Sequence, residues 1–213
     1  ASDDETRVEI FSDLGRVWYG KLKNERNAID NWQRVLDIDP TNTNALFALI
    51  EIYKNAGQTQ ELVDTLHRVI EVGTATLDEP IIESCYMQLG ALYEAPEADG
   101  KGLERPADAI DAFNKALDLN PRNFGAMDAL ERLHSLANDW VENVQVMERR
   151  VDALDDAADK IPVLLAIADT WASKQGEPDR GTSAYERVVK LDPKHDVAFE
   201  ELEKLHAAAE RWE

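Results

Sequence analysis

One ending recurs three times in this chain: Leu-Asp-Ile-Asp-Pro closing at Pro40, Leu-Asp-Leu-Asn-Pro at Pro121 and Leu-Asp-Pro at Pro193. Eight places before each proline stands an aromatic residue, Trp32, Phe113 or Tyr185, and four places before that a small one, Ala28, Ala109 or Gly181. Residues four apart share a helix face, and proline cannot continue a helix. Elsewhere apolar residues recur at i, i+3, i+4 and i+7, as in Leu46, Leu49, Ile50 and Tyr53, and strand-type alternation is absent. Repetition on this scale specifies an array of helical hairpins, each stacked on its neighbours to cover an apolar face it cannot bury alone.

The first half of each unit carries a second set of markers. Unit one has Phe11, Leu14-Gly15, Trp18, Ala28, Trp32, Val35 and Pro40; unit three has Tyr86, Leu89-Gly90, Tyr93, Ala109, Phe113, Ala116 and Pro121; unit five has Leu164, Ile167-Ala168, Trp171, Gly181, Tyr185, Val188 and Pro193. This spacing resembles the tetratricopeptide repeat, whose unit is 34 residues long. The resemblance implies an all-α, right-handed α-solenoid of about eleven helices and a general role in protein binding. One continuous array over 1–213 is expected, in units of approximately 1–40, 41–76, 77–121, 122–156, 157–193 and a truncated 194–213.

Units two, four and six keep the helical rhythm but place Ile50, Glu131 and Glu203 where Gly or Ala is usual, and unit four adds Asn143 and Arg150 at two further small positions. Close helix crossing is therefore in question there. These units echo one another, Ala129-Leu-Glu-Arg-Leu-His134 before Trp140 and Glu201-Leu-Glu-Lys-Leu-His206 before Trp212, so the period is a pair of hairpins, about 72 residues. Double units of this kind look like those of long bacterial tetratricopeptide arrays, and the expectation is a segment of a larger array. On that reading the last helix lacks its partner beyond Glu213, and either frays after His206 or makes a self-contact with another chain through Leu202 and Leu205.

The formal net charge is −20, from 43 acidic and 23 basic residues. Affinity for nucleic acid rests largely on cations that neutralise phosphate, so nucleic acid and anionic membrane are disfavoured partners. The acidity fits a basic protein partner or a solubilising, salt-adapted surface. No run has the ~18 apolar residues of a membrane span and no signal peptide is visible, which leaves the compartment open and favours the cytoplasm.

Signals of chemistry are weak. Phosphate-cradling Gly-rich loops, nucleophile elbows and His-Glu-x-x-His pairs are absent from the sequence. Cys85, the one cysteine, lies in a buried-looking stretch and reads as an inert thiol. His67, His134, His195 and His206 are scattered, and His134 and His206 take an aromatic position of the repeat, so neither is read as a metal ligand. Ser2-x-x-Glu5 reads as a capping box, and Asp155, Asp156 and Asp159 as first-turn acids. The segment from Glu94 to Pro106 is too rich in Pro and Gly for a continuous helix and is expected to protrude as a long turn. No enzyme activity and no cofactor or metal are expected.

In tetratricopeptide arrays the first helix of each hairpin lines the concave face. Carried over, that places Arg16, Tyr19, Phe47, Glu51, Lys54, Met87, Arg132, Leu165 and Asp169 in a groove of mixed charge with apolar spots. The Lys and Asn clamp by which chaperone-binding members hold a terminal carboxylate is missing. Apolar anchors flanked by charge suit a peptide or an amphipathic helix; the alternative is a passive structural spacer with no ligand of its own.

Overall fold

The computed structural model describes residues 3–73, 77–97 and 102–208. Among them are eleven α-helices and no strand: α1 (Asp3–Gly20), α2 (Glu25–Ile38), α3 (Thr43–Ala56), α4 (Thr59–Gly73), α5 (Glu79–Glu94), α6 (Pro106–Leu119), α7 (Phe124–Leu136), α8 (Trp140–Ala153), α9 (Ala157–Asp169), α10 (Pro178–Leu191) and α11 (Asp196–Ala208). One π-helical turn, Thr170–Lys174, extends α9. Trp140 opens α8, behind an Asp139 cap whose side chain accepts from the Glu142 amide. The expectations for Ser2 and Trp212 lie outside the described residues.

Two compact bodies result, residues 1–119 and 120–213. In the first, α1 packs on α2, α2 on α3, α3 on α4, α4 on α5 and α5 on α6. In the second the same succession runs from α7 to α11. Each odd-numbered helix is the first of a hairpin and each even-numbered one, through α10, the second.

The recurring Asx-Pro ending has a local cause. Asp39 is the C-cap of α2; its side chain accepts from the Thr41 amide and hydroxyl at 3.1 and 2.8 Å, and Asn42 then caps α3 by accepting from the Ala45 amide at 3.1 Å. The same turn is built by Asn120, which accepts from the Arg122 amide, followed by Asn123 over the Ala126 amide. It recurs at Asp192, which accepts from the Lys194 amide, with His195 over Ala198. The residue before proline thus closes one helix while the one two places after it starts the next.

Turns inside the hairpins use a different device, a single left-handed residue: Lys23, Gly57, Glu104, Asn138 and Gly176 all have φ between 49° and 69°. Lysine is a costly choice there, since its Cβ meets the backbone in that region. Lys23→Gly is expected to stabilise the chain by about 0.5–1 kcal/mol, read as a rise in Tm; a lower Tm would show that the Lys23 side chain has a compensating contact.

Between the helices of hairpins one and three, glycine sets the distance. A Cβ on Gly15 would lie 2.7 Å from the Trp32 ring, and one on Gly90 would lie 2.6 Å from Phe113. In hairpin five, Gly181 is the small partner, its Cβ position 3.0 Å from the Ala168 carbonyl oxygen. Trp32, Tyr53, Tyr93, Phe113, Trp171 and Tyr185 are buried, as packing predicts, whereas Phe11, Trp18 and Tyr86 are only half-buried.

Hairpin four packs by other means. Its three departures from small residues meet one another: Asn143 Nδ2 donates to the Glu131 backbone oxygen at 2.6 Å, and Arg150 Nε to the Glu131 carboxylate at 2.7 Å. Arg150 also reaches Asp128 at 2.5 Å. Polar side chains therefore bridge α7 and α8 where the other pattern uses close contact. Hairpin two places Ile50 half-buried and keeps Leu62, Leu66 and Val69 inside.

The segment after α5 does not simply protrude. Its described ends fold back, with the Leu103, Glu104 and Arg105 amides donating to the Leu92, Ala95 and Tyr93 carbonyls at 2.9, 2.9 and 2.6 Å. Gly102 is buried so tightly on Ala95 that a Cβ would fall 2.1 Å from the Ala95 oxygen. Among the acids before α9, Asp159 lies in the first turn as expected, but Asp156 caps without a side-chain bond. Asp155 instead pairs with Arg122 at 2.5 Å, which holds its carboxyl below the ordinary value.

Candidate functional site

Six of the nine groove residues belong to the first body and three to the second. On α3, Phe47, Glu51 and Lys54 fall at i, i+4 and i+7 and so form one stripe along the helix. All three are exposed, Phe47 to 37%, and neither charge has a partner among the described residues. The rest of α3 explains why this stripe faces out: Ala45, Leu46, Leu49, Ile52 and Tyr53 are buried in packing against α2 and α4.

On α1, Arg16 is exposed and paired with Asp13 at 2.7 Å. Tyr19 is half-buried, and its hydroxyl accepts from Asn55 Nδ2 at 2.6 Å. That bond ties α1 to α3 one residue beyond Lys54. Arg16, Tyr19 and the α3 stripe are thereby brought to neighbouring helices joined on one side, with Asn55 a member that the repeat pattern did not single out. Its signal was its place one residue past the last stripe position. Met87, on α5, is half-buried.

In the second body the row is looser. Arg132 is exposed, Leu165 packs half-buried against the core of α8 to α11, and Asp169 is exposed and accepts from the Ser173 hydroxyl at 2.8 Å. Leu165 is thus largely spent on packing. On α7 the outward Asp128 is held by Arg150, a contact that reaches across from α8.

Reactive groups elsewhere are held quiet. Cys85 is 3% exposed, and burial pushes its thiol up to about 11, far from a nucleophilic thiolate. His134 is buried with Nδ1 3.7 Å from Asp139. No group of three His, Cys, Asp or Glu side chains among the described residues is placed to hold a metal ion, and no described helix is long and apolar enough to cross a membrane.

No family model matches the chain, and no curated protein sequence does. Solved structures do. The crystal structure of MamA is 19% identical over 91% of this chain and 96% of its own, with a TM-score of 0.50. YrrB, described as a tetratricopeptide-repeat protein with an unusual peptide-binding site, is 13% identical over 93% of this chain and 97% of its own, with a TM-score of 0.49. The C-terminal part of a repeat protein from Cytophaga hutchinsonii gives 16% identity, 92% and 73% coverage and a TM-score of 0.48. At such identities likeness speaks for fold alone, and here it meets the hairpin order, the glycine–aromatic crossings and the Asx-Pro turns: the chain has the tetratricopeptide-repeat fold.

Proposed function

We propose that this chain is a non-catalytic protein-interaction scaffold that takes a peptide or short helix on the first-helix face around α3. The observation that carries this reading is the α3 stripe, where an exposed aromatic is followed at helical spacing by one exposed acid and one exposed base. Aromatic side chains offer large contact area at low entropic cost, and flanking charges fix register. Tyr19 and Asn55, bonded to each other, supply a polar edge one helix away.

The test is affinity capture from source lysate with the wild type and with Phe47→Glu/Lys54→Glu. Both substituted side chains are exposed, so the variant is expected to keep its helical circular dichroism. A protein retained by the wild type and reduced at least tenfold with the variant supports the site. Equal retention by both overturns it, and no retained protein at all favours the spacer reading.

A further inference from the structure

A groove in the second body lies between α8 and α10 and over α9, with a volume of about 490 Å³. Its floor is Val144, Ile167, Trp171 and Ala184, and Arg149, Arg180, Arg187, Glu148 and Asp152 stand along its walls. Repeat register shows what sets it apart. Counted from the place held by Leu62 on α4, Ala109 on α6 and Gly181 on α10, the residues one before, two after and six after read Glu61, Asp64 and Arg68; Asp108, Asp111 and Lys115; and Arg180, Ser183 and Arg187. The last of the three is a cation on all of these helices. The first two are acids on α4 and α6, and α10 has an arginine and a serine instead. The matching groove of the first body, between α2 and α4 and over α3, is accordingly lined by Glu61, Asp64 and Arg68. The same architecture is acid-rimmed there and arginine-rimmed here.

We infer that this groove docks an acidic, extended segment of a partner protein, with an aliphatic side chain seated on the floor and carboxylates on the arginine rim. In a chain of 43 acidic and 23 basic residues, three arginines against two acids in one groove reverse the local field and draw carboxylates. Arg187 spends its charge across the groove: its Nη1 donates to both oxygens of Glu148, at 2.7 and 2.8 Å. The other two are Arg149, exposed on α8, and Arg180, whose guanidinium carbon stands 4.4 Å from the centre of the Trp171 ring. An aromatic face orients a guanidinium and leaves its N–H edge for a carboxylate. Arg180 also holds Glu177 at 2.9 Å, an exposed pair three residues apart that an incoming carboxylate replaces at little cost. Trp171 itself belongs to the π-helical turn Thr170–Lys174, a deviation frequent at functional sites. From Arg180 to Arg187 the rim runs about 10 Å, at about 1.5 Å per residue of helix, which matches about three residues of an extended chain. Nucleic acid is a poor occupant, since the chain's −20 of charge repels a polyanion that runs on past the rim. The groove is built from second helices, in a different body from the α3 stripe, and does not rest on that reading.

The probe is a phage-displayed library of random dodecapeptides selected on the wild-type chain, the leading peptide then being made with a fluorescein label for anisotropy titration. Enriched sequences are expected to carry Leu, Ile or Val flanked by Asp or Glu, and the labelled peptide to bind saturably and to weaken as salt is raised. Arg180→Glu/Ser183→Asp gives α10 the residues of α4, a pair the repeat already accommodates, and is expected to weaken binding at least tenfold. Arg149→Gln, on the opposite wall, is expected to weaken it as well, and melting curves check that both variants keep the fold. Lys190→Glu/Lys194→Gln changes the net charge as much at exposed places outside the groove, and is expected to leave the affinity unchanged. Failure to enrich acidic peptides, or equal affinity for the wild type and Arg180→Glu/Ser183→Asp, overturns the proposal. So does a loss of affinity with Phe47→Glu/Lys54→Glu in place of the groove variants, which would put the peptide on the α3 stripe. Displacement by inorganic phosphate or single-stranded DNA as readily as by unlabelled peptide overturns it too, because the groove would then be a site for phosphate.

Discussion

Phe113→Ala is expected to cost ~3–5 kcal/mol, the range for emptying a large buried aromatic site, and Trp32→Ala a similar amount. Phe113 is 3% exposed and Trp32 4%, and each ring lies where a Cβ on the facing glycine would stand. The two partners are therefore one lock, and a paired experiment reads it. Gly90→Ala in the wild type places a methyl group against Phe113 and is expected to destabilise, even though alanine is intrinsically better in a helix by about 1 kcal/mol. In the Phe113→Ala background the obstruction is gone, and Gly90→Ala is expected to be neutral or stabilising. Urea unfolding followed by circular dichroism gives all four values. A loss below ~1 kcal/mol for Phe113→Ala, or a Gly90→Ala effect of the same sign and size in both backgrounds, would show that α5 and α6 are not held apart by this ring.

The hairpin order was legible because it rests on short-range chemistry. Small residues four before an aromatic, and an Asx-Pro ending, specify the second helix and its stop from within one helix and turn, and Asp39, Asn120 and Asp192 close those turns by bonds to residues two places on. What did not show was every arrangement that depends on partners far apart in the chain. Arg122 and Asp155 are 33 residues apart and carry no motif between them. The fold-back of Leu103 to Arg105 onto α5 is made by backbone amides, which any sequence possesses. In the candidate site, exposure was the missing quantity. Repeat register alone put Phe47 and Leu165 on equal terms, yet Phe47 projects to solvent while Leu165 packs against the core of its body.

Hairpin four offers the other large effect. Arg150 and Glu131 have side chains only 16% and 26% exposed and lie 2.7 Å apart, while Asn143 holds the Glu131 backbone oxygen at 2.6 Å. Arg150→Met removes the cation and leaves a half-buried carboxylate with its partner gone, so the expected cost is about 2 kcal/mol. Asp128, at 72% exposure, is rehydrated and adds little. Glu131→Ala takes one of the two carboxylates from the guanidinium and leaves it Asp128, so a smaller cost of about 1 kcal/mol is expected. With both changes made neither charge is left unmatched, and the double variant is expected to lose at least ~1 kcal/mol less than the two single losses together. A Glu131→Ala/Asn143→Ala/Arg150→Ala variant puts small residues at all three places and tests whether α7 and α8 then approach as the helices of hairpins one and three do. Strict additivity in that cycle, measured by denaturant unfolding, would mean that the polar bridge is a surface decoration and that hairpin four is held together by its apolar residues alone.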